Sequence, residues 1–143
     1  LLIVGRPGWR SETTIARLKA MRNEGVIWLN DLADDGDMRA LYRQAEALVF
    51  PSLHEGFGLP VLEAFASGTP VVTSNVASLP EVAGDAALLV DPENAGDISS
   101  AMRNLVRSPG TREQCVTRGL LRARQFSLDR TASETAAVYR SVL

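Results

Sequence analysis

The segment that decides the fold reads ALVFPSLHEGFGLPVLEAFAS, from Ala47 to Ser67. It opens with the apolar run Ala47–Phe50, which is typical of a strand buried in a parallel sheet. Pro60 is a residue type favoured at the first position of a helix, and the pattern after it predicts a short helix over Pro60–Ser67 that Gly68 closes. A strand, a glycine-containing loop and a helix therefore follow one another directly, as in a βαβ unit.

The loop between this strand and this helix combines glycines with carboxylates. Gly56 and Gly58 allow the backbone to come close to a ligand, because neither residue carries a Cβ atom. The amides just before Pro60 should point at an anion, since a helix N-terminus offers free N–H groups. Glu55 and Glu63 add acceptors for hydroxyl groups. An anion site beside hydroxyl acceptors predicts the binding of a diphosphate that carries a sugar.

The rest of the chain alternates strands with helices. Strands are predicted over Leu1–Gly5, Val26–Leu29, Pro70–Thr73 and Ala86–Val90, and helices over Thr13–Arg22, Asp37–Ala45, Asn94–Arg107, Thr111–Gln125 and Leu128–Val142. Ser11 is the predicted N-cap of the first helix. Elements at this spacing form parallel βαβ units with right-handed crossovers. We therefore expect an α/β fold with a Rossmann-like, doubly wound parallel sheet and C-terminal helices.

Ligands in doubly wound sheets bind at the carboxyl ends of the strands. The loops expected to meet there are Gly5–Arg10, Asn30–Asp34, Pro51–Leu59 and Ser74–Leu79. The loop Pro51–Leu59, which contains Gly56 and Gly58 and is called the glycine loop, is one of them. The position of the motif therefore agrees with the predicted topology. Ser74 comes directly after a strand, and it is a candidate contact to phosphate or sugar and equally an ordinary turn residue.

Composition excludes several classes of protein. With 143 residues, 45% of them hydrophobic, the chain has the size of one globular domain over residues 1–143. The net charge of −2 gives no basic surface for nucleic acid. The single cysteine, Cys115, excludes an internal disulfide and indicates a cytoplasmic protein. No apolar run approaches the roughly 20 residues of a membrane span.

The glycine loop and its surroundings resemble a known signature. Glu55 and Glu63 have seven residues between them, around Gly56-Phe57-Gly58. The likeness continues in Val49–Ser52, Ser67–Val72 and Leu79–Ala87 and covers nearly the whole chain. These features resemble the C-terminal, donor-binding domain of GT-B fold retaining glycosyltransferases of family 4, also described as glycosyl transferases group 1. Gly5–Trp9 is similar to the bacterial polysaccharide members, many of which transfer mannose.

The resemblance implies a nucleoside-diphosphate sugar such as GDP-mannose as the donor, with no metal and no cofactor. It implies that Glu63 holds the ribose hydroxyls and that Glu55 is the catalytic residue, facing the donor sugar or the reaction centre. The backbone that would hold the donor belongs to Gly56, Phe57, Gly58 and Leu59. Each glutamate has a second interpretation: Glu63 as a charge stabilised by the helix dipole, and Glu55 as a solvated loop carboxylate. His54, the single histidine, is interpreted as part of the pocket wall.

Charge along the chain sets a further condition. No lysine or arginine lies between Arg43 and Arg103, and a helix N-terminus offers only about half an elementary charge against a diphosphate. The resemblance implies that an arginine and a lysine on the first strand-loop of this domain supply the missing charge, in a segment that would precede Leu1. Arg6 and Arg10 are the remaining candidates, and each is equally well a solvated loop arginine.

The resemblance and the start at Leu1 without an initiator methionine predict a fragment of a longer glycosyltransferase. An N-terminal acceptor domain would be absent, so the isolated chain should be inactive, and any peripheral membrane association would come through that absent domain. Two rival functions stay open: a GT-B sugar-nucleotide epimerase and a catalytically silent interaction module. A dinucleotide-binding domain is disfavoured, because Gly5–Gly8 does not supply the pattern Gly-x-Gly-x-x-Gly.

Overall fold

The computed structural model describes residues 1–31 and 35–142, which divide into two compact units. The first unit, Leu1–Met38, contains strand β1 (Leu2–Val4), helix α1 (Glu12–Ala20), a 3-10 helix over Met21–Glu24 and strand β2 (Ile27–Leu29). β1 and β2 pair in parallel, with Leu2 opposite Ile27 and Val4 opposite Leu29. The connection between them is helical, as is usual for a parallel pair.

The second unit begins at Arg39 and holds the remaining elements. The boundary between the two units, at Met38, falls within helix α2 (Asp35–Gln44). The elements that follow are β3 (Leu48–Phe50), α3 (Leu59–Ala66), β4 (Val71–Ser74), α4 (Leu79–Ala83), β5 (Leu88–Val90), α5 (Ala95–Arg107), α6 (Pro109–Ala123) and α7 (Leu128–Val142). The three strands among them form a parallel sheet in the order β3-β4-β5.

β4 is the central strand of the three-stranded sheet, and all of its residues are buried. Val72 lies opposite Val49 of β3 and opposite Leu88 of β5. A central strand that is buried on both faces is stabilised by apolar side chains, which Val71 and Val72 supply. Its carboxyl end is polar, so the hydroxyl groups there need hydrogen-bond partners inside the protein.

The core of the second unit includes the fully buried side chains of Phe65, Leu79 and Leu105, which come from α3, α4 and α5. Gly119 lets α6 approach α3 closely, since a Cβ atom on it would lie 2.7 Å from Phe65 Cδ1. Cys115 is also buried. Burial raises the pKa of its thiol, against an opposing effect of Arg118. Cys115 is therefore a packing residue rather than a reactive thiol.

The α/β class with parallel strands and C-terminal helices is confirmed. In the part of the chain that the structure describes, the five strands form two hydrogen-bonded groups, one in each unit. β1 pairs with β2 in the first group, and β3, β4 and β5 pair in that order in the second.

Two local details differ from the predictions: the start of α3 and the hydrogen-bond partner of Ser11. Helix α3 begins at Leu59 rather than at Pro60, which makes Glu63 its fifth residue. Ser11 is the N-cap residue of α1, as predicted, but its hydroxyl makes no cap hydrogen bond and instead donates to the Gly8 carbonyl oxygen at 2.7 Å. Part of the predicted ligand loop Asn30–Asp34 lies outside the described residues. Among the described helices, none combines the length and the apolar character of a membrane span.

Candidate functional site

Gly58 forms the junction between the glycine loop and α3. It is the N-cap residue of the helix, is buried, and has a φ of 105°, a conformation that L side chains rarely adopt. A Cβ atom here would lie 2.8 Å from Cδ2 of Leu79, a fully buried side chain. Gly58 is therefore required by the backbone conformation and by packing, independently of any ligand.

The first turn of α3 has backbone N–H groups that precede the intrahelical hydrogen bonds, as every helix start does. Gly58 has no side chain, and no side-chain cap hydrogen bond is found for this helix within the described part of the chain. The Val61 amide donates to the Gly58 carbonyl oxygen at 3.0 Å, and Pro60 has no N–H group. The Leu59 amide thus precedes the first intrahelical hydrogen bond. It lies at the positive end of the helix dipole.

Glu63 is exposed on α3, and Tyr42 of α2 orients its carboxylate. The Tyr42 hydroxyl donates to Glu63 Oε2 across 3.0 Å. Tyr42 itself is only 7% exposed, and its carbonyl oxygen accepts a 2.6 Å hydrogen bond from Thr69 Oγ1. Burial raises the pKa of Tyr42 well above its usual value, and the charge of Glu63 and the hydrogen bond to it raise it further. The phenol therefore stays a donor that holds one carboxylate oxygen in place.

Ser78, the residue before α4, holds the backbone of the glycine loop. Its hydroxyl lies 2.8 Å from the Glu55 carbonyl oxygen and 3.0 Å from that of Phe57, with geometry for donation to each. These two carbonyls flank Gly56, so Ser78 constrains the loop on both sides of a residue without a side chain. The preceding residue, Ala77, has a φ of 55°, a strained conformation for alanine. Glu55 is half-buried.

The carboxyl end of β4 supports the same loop through two buried hydroxyls. Thr73 Oγ1 donates to the Phe50 carbonyl oxygen at 2.9 Å, and Ser74 Oγ donates to that of Ser52 at 2.6 Å. Both side chains are fully buried. The Ser74 hydroxyl is thus used inside the protein, which favours its turn-supporting interpretation, and its contact with a donor stays a prediction.

Phe57 is held by an aromatic contact that the sequence does not reveal. Its ring is 46% exposed and lies edge-to-face against Phe126, with the ring centroids 6.0 Å apart and an interplanar angle of 86°. The Arg122 guanidinium carbon lies 5.0 Å from the centroid of the Phe126 ring. The loop that carries Glu55 therefore packs against the segment between α6 and α7.

The structure places the predicted site residues in two groups. Glu55, Gly56, Phe57, Gly58, Leu59, Glu63 and Ser74 all belong to the second unit, at or near the carboxyl ends of β3 and β4. Arg6 and Arg10 are exposed residues of the first unit, in the segment between β1 and α1. The Arg10 guanidinium carbon lies 4.3 Å from the Trp9 ring centroid. His54 is exposed, and the described residues contain no cluster of metal-ligating side chains.

Sequence reasoning missed Tyr42, Ser78, Arg122 and Phe126, all of which act on the site through contacts with residues distant in the chain. No local pattern identifies such contacts.

A cavity of about 440 Å³ lies elsewhere, lined by residues of β5 and α5 that include Val90, Asp97 and Asn104. It is separate from the glycine loop, and its lining has neither the glycines nor the paired glutamates of the candidate site.

Comparison with known proteins identifies the family of the chain. The sequence model of the family described as glycosyl transferases group 1 matches residues 1–122. The chain is 39% identical over 140 residues to O-antigen chain mannosyltransferase B of Escherichia coli. That alignment covers 98% of this chain and 37% of the relative, so the chain spans little more than a third of the relative's length.

Solved structures share the fold. The C-terminal domain of LpcC, a glycosyl transferase group 1 family protein from Francisella tularensis, matches with a TM-score of 0.75 at 25% identity, over 87% of this chain and 67% of that one. Anabaena HepE, solved in complex with UDP and glucose, matches with a TM-score of 0.82 at 19% identity, over 99% and 40% of the two chains. The expected Rossmann-like half of a GT-B fold is thereby confirmed. The chain belongs to the glycosyl transferases group 1 family.

Proposed function

We propose that this chain binds a nucleoside-diphosphate sugar and that the complete protein transfers the sugar, with retention of configuration, to a glycan or lipid-linked acceptor. Within the family we assign it to the family 4 type. The name of the Escherichia coli relative, an O-antigen chain mannosyltransferase, supports mannosyl transfer in polysaccharide biosynthesis, with GDP-mannose as the donor.

The observation that carries this proposal is the placement of Glu55 and Glu63 on either side of the start of α3, which no side chain caps within the described residues. Amides at a helix N-terminus suit a phosphate, and carboxylates suit the hydroxyls of a ribose and a hexose. The hydrogen bond from Tyr42 leaves one Glu63 carboxylate oxygen, Oε1, available to accept from such hydroxyls. These features support a nucleoside-diphosphate sugar as the ligand.

Each residue has a distinct role in the proposal. Glu63 holds the ribose hydroxyls, and Glu55 faces the transferring sugar. The backbone at Gly56–Leu59 holds the diphosphate, with Ser74 as an additional donor contact. As the sugar leaves, negative charge grows on the diphosphate, and fixed amide dipoles stabilise it without reorganising. The chemistry needs no side-chain nucleophile and no metal ion.

Cations and an acceptor site complete the proposed enzyme. A diphosphate carries more negative charge than one helix N-terminus can offset, so we propose that residues outside this chain supply further cations. The acceptor would bind to a separate N-terminal domain of the complete protein. Such an enzyme would work in the cytoplasm, would not need nucleic acid, and would reach a membrane only through that other domain.

Titration calorimetry of the complete protein with GDP and with UDP tests donor binding, and NMR of the product anomer tests retention. We expect binding of one nucleotide and a product with the anomeric configuration of the donor. Epimerised sugar nucleotide without a glycoside would favour the epimerase alternative, and binding of neither nucleotide would favour the silent module. In the same measurements, the 143-residue chain alone should bind far more weakly and transfer no sugar.

A further inference from the structure

Phe126 lies in the short segment between α6 and α7 and contacts the glycine loop through one residue. Its ring meets Phe57 edge-to-face, with a centroid distance of 6.0 Å. Phe57 stands between Gly56 and Gly58 in the chain, and its ring is the large side chain of that short stretch. An aromatic contact at this point therefore restrains a stretch of backbone that its two glycines would otherwise leave free.

Arg122 fixes the position of Phe126. Its Nε donates to the Val82 carbonyl oxygen at 3.0 Å, and its two terminal nitrogens donate to the Glu81 carbonyl oxygen and to Gln125 Oε1. The guanidinium carbon lies 5.0 Å from the Phe126 ring centroid. All three guanidinium nitrogens are thus hydrogen-bonded, two of them to backbone oxygens of α4. The guanidinium group against which the Phe126 ring packs is therefore fixed by α4 as well as by its own helix, α6.

Phe57 is consequently restrained from two directions. Ser78 Oγ lies 3.0 Å from its carbonyl oxygen, and the Phe126 ring packs on its side chain. The same Ser78 hydroxyl reaches the Glu55 carbonyl oxygen at 2.8 Å. A shift of Phe57 would therefore change the backbone on which Glu55 and the phosphate-binding amides are carried.

We propose that Arg122 and Phe126 are positioning residues for the donor site, acting through Phe57. This inference rests on the proposed function, because it assigns the donor to the loop that Phe57 belongs to. The pair raises the fraction of molecules in which the loop already has the binding-competent conformation. Apparent affinity falls in proportion when that fraction falls, even though neither residue touches the ligand.

The test is Phe126→Ala in the complete protein, with GDP and UDP as calorimetric probes and donor turnover as the kinetic readout. We expect nucleotide affinity to fall about two- to tenfold, which is the effect of losing one edge-to-face pair. Amide hydrogen exchange at Val61, whose N–H donates to the Gly58 carbonyl oxygen at 3.0 Å, should speed up by a similar factor. Phe126→Tyr keeps the ring and should retain full affinity, and Leu128→Ala, at a side chain 87% exposed, is the matched control.

A double-mutant cycle with Phe57→Ala separates positioning from general destabilisation. If Phe126 acts through Phe57, Phe126→Ala should have no further effect on affinity once Phe57 is alanine. An undiminished effect in that background would overturn the inference, as would unchanged affinity and exchange in Phe126→Ala. Should the alanine variant fail to fold, Phe126→Leu keeps apolar bulk without a ring and is subject to the same two criteria. Binding of neither nucleotide by the unmodified protein would instead overturn the proposed function.

Discussion

The Tyr42 hydroxyl donates to Glu63 Oε2 across 3.0 Å and so ties the end of α2 to the middle of α3. Glu63 is exposed, whereas Tyr42 is buried and is anchored in turn by Thr69 through its carbonyl oxygen. A helix-end charge stabilised only by the dipole would not need an oriented partner. The hydrogen bond gives this carboxylate a fixed direction, which suits the ribose-binding role that we propose for Glu63.

The first prediction is that the protein loses stability at alkaline pH through Tyr42. Burial and the neighbouring Glu63 raise the pKa of Tyr42 in the folded state, so it keeps its proton there while an unfolded tyrosine ionises near pH 10. Stability from this group is therefore fully present below pH 10 and falls above it, by about 1.4 kcal/mol per pH unit. Urea denaturation at several alkaline pH values measures the slope. An identical slope in Tyr42→Phe would show that Tyr42 is not the responsible group.

The second prediction concerns nucleotide affinity. Glu63→Gln should weaken binding of GDP or UDP to the complete protein by about ten- to a hundredfold, since a hydrogen bond to a charged acceptor contributes roughly 1.5–3 kcal/mol. Tyr42→Phe leaves the carboxylate but frees it to rotate, so it should have a smaller effect of the same sign. Calorimetry decides between the interpretations. A Glu63→Gln variant that binds as tightly as the parent would reduce Glu63 to a helix-end charge.

The third prediction separates the two glutamates. Glu55→Gln should lower turnover by more than it lowers nucleotide affinity, because its proposed partner is the transferring sugar rather than the nucleotide. The fold should be unaffected, since Ser78 contacts the Glu55 backbone oxygen and not its carboxylate. Steady-state kinetics with the sugar nucleotide and calorimetry with the free nucleotide give the two numbers. Equal losses in both would contradict the assignment.

The sequence predicted the parallel α/β fold and the glycine loop because these depend on local patterns. An apolar run, a glycine pair and a proline at a helix start are each visible within a few residues. The same reasoning placed Ser11 correctly at the N-cap position but not its hydroxyl, since a serine before a helix can cap it or donate to an earlier carbonyl, and here it donates to Gly8. Local sequence does not choose between those two hydrogen bonds.

The supports of the site depend on contacts between distant residues, which one sequence does not reveal. Tyr42 and Glu63 are 21 residues apart, and Ser78 and Glu55 are 23 apart. The sequence explained Gly58 by its ligand alone. The structure adds a left-handed φ and the Leu79 side chain, two reasons for glycine that appear only once α3 and α4 are packed together.

The fourth prediction concerns the packing of α6 on α3. Gly119→Ala would place a methyl group 2.7 Å from Phe65 Cδ1, so it should lower the free energy of unfolding by about 1–3 kcal/mol despite a helix-propensity gain of about 1 kcal/mol. Gly110→Ala, in the first turn of the same helix, meets nothing within 4 Å and should leave stability unchanged or slightly higher. Urea denaturation of both variants gives the comparison. Equal stabilities would mean that α3 and α6 separate easily.

The last prediction uses the two loop glycines as a matched pair. A Cβ atom at Gly56 meets nothing within 4 Å, whereas one at Gly58 would lie 2.8 Å from Leu79 Cδ2 on a backbone with a φ of 105°. Gly58→Ala should therefore lower the free energy of unfolding by about 1–3 kcal/mol, which confounds any loss of binding.

Gly56→Ala is the cleaner variant for testing close approach of the donor to the backbone. It should unfold at the same urea concentration as the parent protein but bind GDP or UDP more weakly, because the added methyl group occupies space that we assign to the ligand. Denaturation and calorimetry on the same preparations separate the two effects. If Gly56→Ala keeps both stability and affinity, the donor does not pack against the backbone at Gly56, and the phosphate contacts must begin at Phe57 or beyond.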